Sequence, residues 1–113
     1  MAIFVKTKNP SELIKDINEQ IDKKQIDTWM RDTDGDYTHN TDQWRFHAWI
    51  RSRIETGRVV FYIICRKDKN LTVFDYAIYH GRFVEMLLSH FDKSCESIEV
   101  SSLASSYDIV SKE

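Results

Sequence analysis

The stretch WRFHAWIRSRIETGRVVFYIICRK, residues 44–67, decides the fold because it contains two strands and the turn between them. From Trp44 to Ile54, mainly apolar residues alternate with mainly basic ones, which is the period of a strand with one buried face. Thr56-Gly57 is a turn signal, and a nearly continuous apolar strand follows from Arg58 to Cys65. The stretch therefore predicts an antiparallel hairpin.

A two-residue turn at Thr56-Gly57 would fix the pairing of these two strands. It predicts four cross-strand pairs on the core side: Ile54 with Val59, Ser52 with Phe61, Ile50 with Ile63, and Ala48 with Cys65. The opposite side, which we call the basic-aromatic face, is expected to present Arg45, His47, Trp49, Arg51, Arg53, Tyr62 and Arg66. Arginine and aromatic residues are enriched at the centres of protein interfaces, so this face is the predicted docking surface.

Two amphipathic helices are predicted, one on each side of this hairpin in the sequence. The first, NPSELIKDINEQIDKK at residues 9–24, has Asn9 as its N-cap, Pro10 at its first position and Glu12 placed for a capping box. The second is YHGRFVEMLLSHFD at residues 79–92, where apolar residues recur at three- and four-residue steps. Each helix has one apolar side that can pack on a sheet.

Shorter strands are expected elsewhere in the chain. IDTWMRDTDGDYTH at residues 26–39 predicts a hairpin with Asp34-Gly35 in a type I′ turn. LTVFDYAIY at residues 71–79 is rich in strand-forming residues and is predicted to be another strand. Ile98 and Val100 alternate as in a short edge strand.

These elements predict one α+β domain over residues 1–113, with a flexible tail from about residue 104. The expected architecture is a two-layer sandwich, with an antiparallel sheet of about four or five strands and both helices on one face. The predicted order of elements is α-β-β-β-β-β-α-β.

The composition is that of an ordinary globular protein, with 42% hydrophobic residues, 30% charged residues and a formal net charge of −2. The N-terminus, MAIFVKTKNP, lacks a signal-peptide core, and no stretch reaches transmembrane length. A cytoplasmic location away from membranes is therefore expected. Cys65 and Cys95 lack metal-ligand spacing and are expected to be free thiols, and no cofactor is predicted.

Charge is segregated along the chain. Residues 27–42 carry five acids and one base, whereas residues 43–70 carry seven bases and two acids. Basic and aromatic side chains on a sheet can hold phosphates and stack unpaired bases, so single-stranded nucleic acid is an alternative ligand. A third possibility is that the acidic hairpin lies against the basic-aromatic face, or that arginine stems simply cover Trp49 and Ile64.

The acidic hairpin also raises the question of a metal site. Counted from Asp32, an EF-hand loop needs glycine at the sixth position and glutamate at the twelfth, and this chain has Gly35 at the fourth and Gln43 at the twelfth. A different cation site, made by Asp34, Asp36 and His39, is the alternative to a solvated hairpin tip.

Four histidines raise an enzyme alternative, since imidazole suits proton transfer near neutral pH. The candidate is a small hydrolase centred on His80, with Arg82 and Glu85. No nucleophile motif accompanies them, so a protein without catalytic activity is favoured. His80 is expected to face the sheet and His90 to lie at the helix end, too far apart to share a ligand.

The function that the sequence favours is a small binding or regulatory module in the cytoplasm. It would dock an acidic protein partner, or a second copy of itself, on the basic-aromatic face.

Overall fold

The computed structural model describes residues 2–110, which form one six-stranded sheet with two helices packed on one of its faces. The elements in chain order are β1 (Ile3–Lys6), α1 (Pro10–Asp22), β2 (Trp29–Arg31), β3 (Tyr37–His39), β4 (Ala48–Glu55), β5 (Arg58–Cys65), α2 (Val73–Phe91) and β6 (Ser97–Val100). The strand order is β2-β3-β4-β5-β1-β6, and every neighbouring pair is antiparallel. The α+β class, the antiparallel sheet and the two helices are confirmed, although the sheet has six strands rather than four or five.

The β4–β5 hairpin has the predicted register. Ile54 lies opposite Val59 and Ala48 opposite Cys65, with Thr56-Gly57 as the two-residue turn. The alternation in the sequence therefore assigned the core side and the outer side of both strands correctly.

The segment at residues 71–79, predicted to be a strand, is instead the start of α2. The hydroxyl of Thr72 accepts the backbone N–H of Asp75 at 3.0 Å, and the Asp75 carboxylate accepts the backbone N–H of Thr72 at 3.1 Å. This reciprocal capping box starts the helix. The strand-forming side chains of Val73 and Phe74 are 70% and 63% exposed, so their β propensity gains no support from burial.

The sequence did not predict β1, which is only four residues long. It lies between β5 and β6 and buries Ile3 and Val5 completely. Its strand structure thus depends on pairing with β5 and β6, which are distant in sequence, rather than on a local pattern. The edge strand predicted around Ile98 is confirmed, because β6 pairs with β1 at one end of the strand order.

The hairpin of β2 and β3 is confirmed, but its predicted turn type is wrong. The N–H of Gly35 donates to the Asp32 carbonyl at 3.0 Å, and the N–H of Asp32 donates to the Asp36 carbonyl at 2.9 Å. Gly35 has a φ of +84°, and Asp34 does not take a positive φ. A type I′ turn needs a positive φ at both of its central residues. The connection is instead a three-residue loop with one left-handed glycine.

Helix α1 begins where the sequence predicted, but its predicted cap does not form. Pro10 occupies the first turn after Asn9, but the Asn9 side chain forms no capping hydrogen bond. The predicted capping box with Glu12 is therefore wrong, and Pro10 marks the start of the helix.

Aromatic rings dominate the core between the sheet and the helices. The ring of Phe83 in α2 lies 5.0 Å from that of Trp29, 5.6 Å from Tyr37 and 4.8 Å from Phe61, as measured between centroids. From α1, the same core receives Leu13, Ile17 and Ile21. Both helices therefore cover one face of the sheet, and the basic-aromatic face is the other.

Cys65 and Cys95 are free thiols, as predicted. Within residues 2–110, neither helix is both long enough and apolar enough to cross a bilayer.

Candidate functional site

Five of the seven residues predicted for the basic-aromatic face lie there. Trp49, Arg51 and Arg53 project from β4 on the side opposite to the core, Tyr62 does so from β5, and Arg66 directly follows β5. The face is therefore built by the hairpin that the sequence predicted.

A turn at residues 44–47 replaces the first part of the predicted strand, so that β4 begins only at Ala48. Phe46 has a φ of +64°, a left-handed conformation that a strand does not accommodate. The Arg45 Nε donates to Asn40 at 2.8 Å, and the His47 ring packs edge-on against Trp44. Arg45 and His47 therefore belong to this turn and not to the sheet face.

Residues 105–110, which we call the C-terminal segment, lie along β5 beyond the end of β1. The N–H of Ile109 donates to the Ile63 carbonyl at 2.9 Å, and the N–H of Cys65 donates to the Ile109 carbonyl at 2.8 Å. The Asp108 carboxylate accepts the N–H of Ile63 at 3.0 Å. These bonds hold the segment beside the basic-aromatic face.

Tyr107 of the C-terminal segment covers one end of that face. Its ring centroid lies 6.1 Å from that of Phe4 and 6.1 Å from that of Tyr62, and its hydroxyl donates to Glu55 at 2.9 Å. The Arg53 guanidinium lies 5.7 Å from the same ring, in a cation–π contact. Two predicted docking residues, Arg53 and Tyr62, thus already contact Tyr107 of the same chain.

The acidic loop between β2 and β3 lies against the basic-aromatic face. Asp36 is buried, and its two carboxylate oxygens accept hydrogen bonds of 2.9 and 2.8 Å from Arg51. Arg66 forms a similar two-point contact with Asp68, at 3.0 and 3.1 Å. Because both guanidinium groups already have a carboxylate partner, they attract an external phosphate or carboxylate less strongly.

A groove of about 430 Å³ occupies the part of the face near this loop. Trp49 and Ile64 lie opposite each other at its centre, and Phe46 stacks on Trp49 with ring centroids 6.4 Å apart. The β3 side of the groove carries Asp32, Asp34 and Asp36, and Arg51 binds Asp36 there. The β5 side carries Arg66 and Lys67, and Asp68 binds Arg66 there. The first side is therefore net acidic and the second net basic. We call this groove the bipolar groove.

Carboxylate oxygens of Asp32, Asp34 and Asp36 lie within 4.8 Å of one another. Two of these carboxylates already accept hydrogen bonds from other groups. Asp36 is bound by Arg51, and the Asp32 carboxylate accepts the backbone N–H groups of Asp34 and Asp36 at 2.9 Å each. His39, a predicted ligand, lies on the helix side of the sheet instead. The cluster is most simply a hairpin turn held by its own side chains.

His80 is buried on the sheet-facing side of α2, as predicted, with 3% of its surface exposed. Its Nδ1 lies 2.7 Å from the Tyr76 carbonyl one turn earlier, and its Nε2 has no hydrogen-bond partner among residues 2–110. Arg82 and Glu85 lie on the exposed side of the same helix. The structure does not bring together the catalytic group that the sequence suggested.

Burial of His80 predicts a loss of stability in acid. Desolvation lowers its pKa below the ordinary value, and burial lowers the pKa of His39 in the same way. Below the unfolded-state pKa of about 6.5, the unfolded chain binds more protons than the folded protein, so the free energy of unfolding falls as pH falls. We expect this decline between about pH 7 and about pH 5, and a smaller decline in a His80→Gln variant.

The measurement is urea unfolding of both proteins at several pH values. The difference between the two curves at about pH 8, where both histidines are neutral, gives the pH-independent effect of the substitution. Curves that stay parallel down to about pH 5 would show that His80 does not contribute to the decline.

A second cleft, of about 410 Å³, lies between α2 and the β2–β3 hairpin with the loop that follows it. His39, Trp29 and Met86 are buried and form its floor. The α2 side presents residues at helical spacing: Arg82, Glu85, Ser89 and His90. We call it the histidine cleft. The sequence offered Arg82 and Glu85 as candidate site residues but gave no signal that His39 faces them.

Comparisons with protein-family models, with curated proteins and with solved structures find no match to this chain. The class that the fold defines is a six-stranded antiparallel sheet with two helices on one face.

Proposed function

We propose that the protein is a small binding module and that its docking surface is the bipolar groove, with Phe46 at the rim. The observation that carries this proposal is an aromatic pair, the exposed Phe46 and the half-buried Trp49, at a groove with one net acidic side and one net basic side. Phe46 is 45% exposed, and burying such a ring against a partner is favourable. Aromatic residues of this kind are common anchors in protein interfaces.

The partner that the groove fits best is a second copy of the chain. In a symmetric dimer the same patch contacts itself, so the patch must be self-complementary. Consider a two-fold axis that lies in the plane of contact, runs parallel to the strands and passes through Trp49. It sets the acidic side of one copy against the basic side of the other. Asp34 and Lys67 have no ion-pair partner within the described chain, and they would pair between the copies.

A purely acidic partner fits less well, because it would meet the aspartates of the groove as well as its bases. The same argument applies to single-stranded nucleic acid. Four carboxylates line the groove, and Arg51 and Arg66 are already paired with two of them, so phosphate binding has little electrostatic support.

Charge reversal tests this proposal by sedimentation equilibrium. We expect Lys67→Glu and Asp34→Lys each to weaken dimerisation by about tenfold or more. Every contact of a symmetric dimer occurs twice, so each substitution creates two repulsive pairs of like charges. The double variant Asp34→Lys/Lys67→Glu restores opposite charges and should restore the dimer. Lys15→Glu makes the same charge change on the exposed surface of α1 and should have no effect.

A wild-type protein that remains monomeric at millimolar concentration would overturn the dimer. So would a double variant as weak as the single ones. Binding of a thymidine oligonucleotide that weakens steeply with salt would favour the nucleic-acid alternative instead.

A further inference from the structure

The histidine cleft contains polar side chains that the proposed docking surface does not use, among them His39, Arg82 and Glu85. His39 lies on the helix side of the sheet, whereas Trp49 of the bipolar groove lies on the other side. The cleft is therefore a separate place where a ligand could bind.

His39 presents one defined nitrogen to the cleft. Its Nδ1 lies 2.8 Å from the carbonyl oxygen of Thr28, which can only accept, so Nδ1 carries the proton. The ring packs on Trp29, with centroids 4.9 Å apart, and meets Tyr79 edge-on. Since burial also favours the neutral imidazole by lowering its pKa, Nε2 is a fixed hydrogen-bond acceptor.

Arg82 and Glu85 supply opposite charges on the facing helix. They lie three positions apart on α2, a spacing at which such side chains often pair. In this structure both are exposed, and neither forms an ion pair or hydrogen bond with another of the described residues. One free cation and one free anion therefore flank the entrance of the same cleft.

The rest of the cleft is mixed: its apolar part is made by Trp29, Trp44 and Met86, and its polar part by Thr28, Thr41, Gln43, Ser89 and His90. Trp29 and Met86 form the floor beside His39, and the half-buried Trp44 forms a wall. A volume of about 410 Å³ falls within the range typical of small-molecule sites, in which precisely placed polar groups fix the orientation of the ligand.

From this arrangement we propose that the histidine cleft binds a free α-amino acid with an aromatic or large aliphatic side chain. Arg82 receives the carboxylate, since a guanidinium fits that group with two parallel hydrogen bonds. The ammonium donates to Glu85 and to Nε2 of His39. The side chain of the ligand packs on Trp29, Trp44 and Met86.

The zwitterion explains the combination of groups better than a simple ion does. An organic anion would use Arg82 and leave the carboxylate of Glu85 beside it, which is repulsive. An amine would use Glu85 and meet the cationic Arg82. A ligand with both charges satisfies both side chains and the neutral imidazole together.

The test is a set of NMR titrations of the full chain with L-phenylalanine, L-leucine, 3-phenylpropanoate and phenethylamine. We expect L-phenylalanine to shift backbone resonances around His39 and Arg82. The last two probes each lack one of the two charges and should bind at least about tenfold more weakly, a loss of about 1.4 kcal/mol. Arg82→Gln and Glu85→Gln should weaken L-phenylalanine binding to a similar extent.

Glu19→Gln, on the exposed surface of α1, is the matched control and should bind L-phenylalanine as the wild type does. The absence of shifts with either amino acid at millimolar concentration would overturn the proposal. Equal binding of 3-phenylpropanoate or phenethylamine would also overturn it, because one charge would then suffice. The outcome is independent of dimerisation, since none of these variants touches the bipolar groove.

Discussion

We expect the Phe83→Ala substitution to lower the free energy of unfolding by about 3–5 kcal/mol. The Phe83 side chain is fully buried and contacts the rings of Trp29, Tyr37 and Phe61, which come from three different strands. Removing it leaves a cavity between α2 and the sheet. The surrounding rings are large and held by backbone pairing, so they can fill that cavity only in part.

Equilibrium unfolding in urea measures this effect, with Leu88→Ala as the control. Leu88 belongs to the same helix but is 55% exposed, so its truncation should change the free energy of unfolding by no more than about 0.5 kcal/mol. Similar losses for the two variants would mean that the ring cluster is not the main packing contact of α2.

The centre of this fold could be predicted because its signals are local. The β4–β5 hairpin needs only a two-residue turn and an alternating pattern, and both are contained in residues 48–65. The pattern fixed the register, because a shift by one residue would have moved Ile50 and Ile63 from the core to solvent.

The prediction for residues 71–79 was wrong because their composition is typical of a strand, whereas the helix depends on its cap. Thr72 and Asp75 stand three positions apart, which is a capping-box spacing, and this signal was present in the sequence. The strand β1 is a different case. It is buried between two partners from other parts of the chain, and no local pattern in four residues reveals that.

The candidate sites show the same limit. The sequence predicted which residues project from β4 and β5, but not which other residues lie against them. Tyr107 contacts Arg53 across a long separation in sequence, and Asp36 reaches Arg51 from a neighbouring hairpin. Such contacts depend on the path of the whole chain, so the sequence offered the acidic hairpin only as one alternative and gave no indication of Tyr107.

The turn at residues 44–47 connects the two proposed sites, since Trp44 lines the histidine cleft and Phe46 lies at the rim of the bipolar groove. Tyr79 holds this turn from α2. Its hydroxyl donates to the Trp44 carbonyl and accepts the backbone N–H of Ala48 at 3.3 Å. The hydroxyl of Thr38, 3.1 Å from that of Tyr79, accepts the N–H of Phe46 at 3.0 Å.

We therefore expect Tyr79→Phe to lower the free energy of unfolding by about 1–3 kcal/mol, although it removes a single oxygen atom. Tyr79 is fully buried, and burial raises the pKa of its hydroxyl, which remains a donor. Without it, the Trp44 carbonyl and the Ala48 N–H lose a partner in a place that water does not reach. Satisfied networks of this kind are stronger than their separate bonds suggest.

Urea unfolding again gives the energy, and Tyr76→Phe is the matched control. Tyr76 lies one turn earlier in α2, and its hydroxyl forms no hydrogen bond with another residue of the described chain, so its loss should cost at most about 0.5 kcal/mol. In the Tyr79→Phe protein, the backbone resonances of Trp44 and Phe46 should shift together, because one hydroxyl network positions both. If only the stability changed while both resonances stayed in place, the network would support the core without positioning either site.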